Sequence, residues 1–83
     1  MSSMSRIPLQ SSVLAAAEYF PELPALDIVF NTGELYRYFT VPSSLYQDLL
    51  EADSKGAFFN AHIRNQFPFQ HLGNTEILRT EAD

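Results

Sequence analysis

The triplet Tyr36-Arg37-Tyr38 is the first group in this sequence whose residue types could do chemistry. Tyrosine rings stack on nucleobases and an arginine holds a phosphate, so the triplet reads as a candidate RNA contact. On a strand, however, side chains alternate, and Arg37 then lies on the face opposite its two neighbours. The competing structural reading makes Tyr36 and Tyr38 core residues with their hydroxyls at the edge and pairs Arg37 with Asp27.

A second group, Ser54-Lys55-Gly56, stands where a helix should begin, and exposed N–H groups, a positive dipole end and a lysine make a minimal anion site. Capping by Ser54 with a close-packed Gly56 explains the same residues. Asn60 and Arg64 are one helical turn apart and, with Lys55, form the only polar cluster the pattern offers, against the reading of a solvated helix face. Phe58 points away from the apolar side of that helix and suggests a partner or homodimer surface; the alternative packs it against the N-terminal segment or the 67–69 end. His62 and His71 have no metal-ligand spacing and no nucleophile motif around them, and the glycines are too dispersed for a nucleotide loop. No enzyme activity, metal or cofactor is expected.

These residues must be positioned by one small domain. An 83-residue chain is close to the size at which a single core is marginal, and its 46% hydrophobic content suffices for folding. Every aromatic residue falls between Tyr19 and Phe69, which places the core there. The chain has no cysteine, so a disulfide framework and thiolate metal sites are excluded. Its apolar runs are far too short for a membrane span, and residues 1–20 show no export signal, so a cytoplasmic location is the default expectation. The net charge of -5 argues against a generally basic nucleic-acid-binding face.

Residues 1–10 read as a flexible lead-in, 11–69 as a single domain and 70–83 as a disordered tail. Residues 25–31 alternate, with Leu26, Ile28 and Phe30 on one face, and predict a strand. A second strand over 34–40 follows a loop in which Gly33 takes the left-handed conformation, and face parity selects its register. That register pairs Ile28 with Tyr36, Leu26 with Tyr38 and, on the other face, Asp27 with Arg37. Pro42 fits the first turn of a helix over 42–52, with Leu45, Tyr46, Leu49 and Leu50 on its apolar face. Ser54 caps a second helix over 54–66 that gathers Gly56, Phe59, Ile63 and Phe67. Residues 12–20 are open between helix, favoured by the alanines, and strand, favoured by the valine and aromatic ends.

With that order in place the chain resembles the KTSC domain, a short module named after the C-terminus of some lysyl-tRNA synthetases and also found as a free-standing bacterial protein. The residues carrying the resemblance are Ser11-Ser12, Tyr19, Leu26-x-Ile28-x-Phe30, Gly33, Tyr36-x-Tyr38, Val41-Pro42, Tyr46, Leu49, Ala52, Ser54-x-Gly56, Phe59-Asn60 and Ile63-Arg64. Ala17 and Glu18 depart from it, where a larger aliphatic and a small residue are usual, and bear on the first strand's register. The resemblance implies a strand over 12–20, hence an α+β fold with a three-stranded antiparallel meander covered by two helices. It also implies a non-enzymatic small binding module, with RNA, specifically tRNA, as the suggested ligand. The alternative is a protein-interaction or self-association module. Arg37, Lys55, Ser54, Asn60 and Arg64 are the candidate RNA contacts and Phe58 the candidate interaction surface, while Gly33, Tyr36, Tyr38, Pro42 and Gly56 are expected to be structural.

Overall fold

The computed structural model describes residues 6–74. The segments 1–5 and 75–83, on which parts of the expected lead-in and tail fall, lie outside the described residues. In chain order the elements are β1 (Ile7–Pro8), β2 (Leu14–Phe20), β3 (Ala25–Phe30), β4 (Glu34–Phe39), α1 (Ser43–Glu51), α2 (Lys55–His62) and β5 (Phe69–Asn74). The strands form one antiparallel sheet in the order β1-β2-β3-β4-β5.

The expected α+β class holds, but among the described residues the sheet has five strands rather than three. β1 is a two-residue addition that pairs Ile7 with Ala17 and Pro8 with Ala16. The larger correction is β5, because residues 69–74 continue the sheet where 70–83 was expected to be disordered. Its sequence has no alternating β-branched run; it is held by backbone pairing to β4, which would otherwise leave its ladder groups unpaired.

The β3–β4 register is the one that parity selects: Leu26↔Tyr38, Asp27↔Arg37 and Ile28↔Tyr36. Gly33 takes φ +94°, and its amide donates to the Phe30 carbonyl at 2.8 Å. An added Cβ there would also lie 3.0 Å from the Asn74 side chain, so both backbone and space call for glycine. In β2 a bulge falls between Leu14 and Ala16, making Ala15 the extra residue. The bulge restores parity: Leu14 and Ala17, an odd number of residues apart, are both fully buried on the core face.

Both helices cover that face. Tyr19, Leu26, Ile28 and Tyr38 from the sheet meet Tyr46 and Leu49 of α1, Phe59 of α2 and Ile63 just beyond it. Tyr46 stacks on Tyr19 with centroids 5.1 Å apart, and the Tyr19 hydroxyl donates to the Val41 carbonyl at 2.7 Å. Pro42 stands one place earlier than expected, as the N-cap of α1 in extended conformation, with its carbonyl accepting from Leu45 and Tyr46. Ser54 caps α2 by accepting from the Ala57 amide at 3.3 Å. α2 ends at His62, short of the expected 66, because the chain turns into the left-handed region at Asn65, φ +66°.

Candidate functional site

The uncovered part of the core face is a groove of about 560 Å³ between β4, the start of β5, the Ser12-Val13 segment and the chain leaving α2. Phe30, Tyr36, Tyr38 and Phe69 supply its aromatic lining, with Glu34 and Arg64 as its charged residues. The alternation of β4 brings Tyr36 and Tyr38 to this side. Pairing with β5 sets Phe69 beside Tyr38 and His71 beside Tyr36. The ring of Phe69 is 5.7 Å from each tyrosine ring, and His71 stacks on Tyr36 at 4.7 Å. Phe30 meets Tyr36 edge-on at 5.5 Å.

The two tyrosines are not equivalent. Tyr38 is buried beneath Phe59, and burial pushes its phenol above the ordinary tyrosine range, partly opposed by the charge of Arg64. Tyr36 is only half-buried and opens on the groove. Phe69 is 54% exposed, a large apolar area for a ring already packed on two others. At one end Glu34 accepts hydrogen bonds from His71 Nε2 and, at 3.1 Å, from Asn74 Nδ2. Those two bonds, Asn74 first, hold its carboxyl below the usual glutamate range.

The candidate contacts named from the sequence do not converge. Arg37 lies on the opposite face, where its Nε and Nη2 donate to the two Asp27 oxygens at 2.7 and 3.0 Å. Its guanidinium also stands 4.9 Å from the Phe20 ring centroid. That partnership holds the guanidinium even more firmly protonated, chiefly through the Asp27 hydrogen bonds. Arg6 pairs with Glu18 at 3.4 Å on the neighbouring strand pair. Lys55 Nζ turns back to the Ala52 carbonyl at 3.1 Å, so it caps the end of α1 while Ser54 caps the start of α2. Arg64, beyond the other end of α2, is ~12 Å away along the helix axis and donates to Asn60 Oδ1 at 3.4 Å. Of the named cations only Arg64 reaches the groove. Phe58 is half-buried, packed on the core edge with its ring 4.5 Å from His62, and Gly56 fits against Ser11 and Val13.

Sequence reasoning passed over Phe69, His71 and Glu34. The signal that could have found the first two is the alternation Phe69-x-His71 directly after Pro68, which places two rings on one face of an added strand. Among the described residues, no cluster of three or more His, Cys, Asp or Glu could hold a metal ion, and no helix is long and apolar enough to cross a membrane.

The architecture is that of a small α+β domain in which two helices cover part of one face of an antiparallel sheet and leave an aromatic groove beside them. The chain belongs to the KTSC domain family, whose model matches residues 10–67. It superimposes on the crystal structure of a KTSC domain protein from Yersinia pestis with a TM-score of 0.80 at 33% identity, covering 83% of this chain and 97% of that one. It is 48% identical over 63 residues to an uncharacterized protein of Stutzerimonas stutzeri, covering 76% of this chain and 89% of that protein. It is also 40% identical over 63 residues to a lysine–tRNA ligase of Nostoc punctiforme, where the match spans only 11% of the ligase.

Proposed function

We propose that this domain is a non-enzymatic module that binds single-stranded RNA in the aromatic groove. The observation that carries the reading is the exposed Phe69 ring, set against Tyr36 and Tyr38 in an open groove that also holds Arg64. Every nucleobase has a π-face, so such a surface binds by stacking, worth ~1–3 kcal/mol per base, while one guanidinium supplies a single phosphate contact. Stacking is also the term that an acidic chain, net charge -5, can afford to rely on. The relation to a segment of lysine–tRNA ligases points in the same direction by association. Half-burial of Phe58 removes the main support for self-association through that residue.

The test is fluorescence anisotropy of labelled uridine heptamers and tRNA with the full chain at about 50 mM salt, where phosphate contacts are strongest. Phe69→Ala should weaken binding by about tenfold or more, and Arg64→Ala should lower both the affinity and its salt dependence. Absence of binding at this salt, or binding indifferent to Phe69→Ala, would overturn the reading.

A further inference from the structure

Resting on that RNA-binding reading, we infer that the groove selects guanine, and that Glu34 is the residue that reads it. Glu34 lines the groove together with the exposed Phe69 ring, and the inferred pose stacks the base on Phe69 with its edge toward the carboxylate. Two hydrogen bonds fix that carboxylate, from His71 Nε2 to Oε1 and from Asn74 Nδ2 to Oε2, and the Asn74 amide also reaches the Thr32 carbonyl at 3.4 Å. An ionised carboxylate accepts about four hydrogen bonds and donates none, so acceptor capacity remains after these two. Its residue is the first of β4, directly after the Gly33 turn and paired with Asn74 of β5.

An acceptor-only group discriminates among the four bases by their Watson–Crick edges. Guanine alone offers two adjacent donors, N1–H and the N2 amino group, which match the two oxygens of a carboxylate. Adenine and cytosine each offer one amino donor beside a ring-nitrogen lone pair, and uracil sets its N3–H between two carbonyl oxygens. In each of those three the neighbouring lone pairs face the negative carboxylate. Exposed base edges of this kind are how single-stranded RNA is read.

The charges along the groove agree with this orientation. Arg64 acts electrostatically on Tyr38, four residues along β4 from Glu34, or ~13 Å at strand spacing. Arg64 and Glu34 are thus the groove's two charged lining residues, one of each sign. A nucleotide lies in it with its phosphate toward Arg64 and its base edge toward Glu34; the reverse orientation would put phosphate against carboxylate.

The experiment uses the full chain and four labelled heptamers, uridine throughout except for G, A, C or U at the centre, at about 50 mM salt. The heptamer with central G should bind about tenfold more tightly than the other three, the range of one bidentate base contact. Glu34→Gln should compress the four affinities to within about threefold of one another, and Arg64→Ala should weaken all four by a common factor. Equal binding of the four heptamers by the parent protein overturns the inference without any variant and leaves RNA binding standing. So does a G preference that survives Glu34→Gln in a protein whose amide spectrum shows β5 still paired. Failure of every heptamer to bind overturns the functional proposal itself.

Discussion

Replacing Arg37 with alanine should cost the domain a large share of its stability and leave the groove intact. Asp27 is only 3% exposed, and among its described contacts the compensation for its charge is the two-pronged Arg37 bond, with donor distances of 2.7 and 3.0 Å. Breaking a buried pair by removing one partner typically costs about 3–5 kcal/mol, because the remaining charge is left without compensation. The Arg37 side chain is 29% exposed, so water can reach part of the site, which favours the lower end, about 3 kcal/mol. Loss of the cation–π contact with Phe20 adds less, about 0.5–1 kcal/mol. For an 83-residue chain the whole stability is expected to be about 4–12 kcal/mol. A loss of 3 corresponds to a fall in Tm of about 12–24 °C. Urea denaturation followed by circular dichroism measures this directly, with Asp27→Ala and the double variant completing the cycle. The double variant should be more stable than Arg37→Ala alone, because it removes the orphaned charge. A single variant within about 1 kcal/mol of the parent would refute the assignment of Arg37 to this structural pair.

Three further outcomes can be checked with the same tools. Among the described residues the buried Tyr46 hydroxyl has no hydrogen-bond partner, whereas that of Tyr19 donates to Val41, so Tyr46→Phe should be neutral or stabilising and Tyr19→Phe should cost about 1 kcal/mol in urea melts. A Cβ at Gly56 would make ordinary contacts, 3.4 Å to Val13 Cγ2 and 3.5 Å to Ser11 Oγ, so Gly56→Ala should gain about 0.5 kcal/mol, while Gly56→Val, which adds two methyl groups at this contact, should destabilise. Because the Glu34 carboxyl is held below its unfolded value, its contribution to docking β5 is fully present above the ordinary glutamate range and is lost as pH falls through the lowered value. Protection factors of the β5 amides, corrected for the pH dependence of intrinsic exchange, should therefore fall down the acid range in the parent, and the acid-dependent part should vanish in Glu34→Gln.

Much of the fold was legible because charge and hydrophobicity agreed on one register. Setting Leu26 and Ile28 opposite Tyr38 and Tyr36 also sets Asp27 opposite Arg37, and a slip by one residue would have spoiled both faces at once. The helix starts were legible from local chemistry at Pro42 and Ser54. Strand β2 was not, since its alanines carry helix propensity and its bulge at Ala15 hides the alternation that Leu14 and Ala17 would otherwise show. β5 escaped because Gln70, Leu72, Gly73 and Asn74 have no strand signature of their own, and their conformation is imposed by the edge of β4. The groove was missed for the same reason: its exposed ring and the histidine holding Glu34 both lie on β5.

The family match ends at residue 67, and β5 begins at Phe69. The helices, β2 to β4 and the packing between them thus form the scaffold that the family match covers, while one wall of the groove is hung on the edge of β4. That wall is attached by ladder bonds and by three side chains, Phe69 and His71 against the β4 tyrosines and Asn74 against Glu34, so its remaining positions, Gln70, Leu72 and Gly73, are the ones that can vary without disturbing the groove. Swapping the six residues of β5 between relatives should therefore change how strongly a ligand is held, while a base preference set by Glu34 on β4 stays with the scaffold.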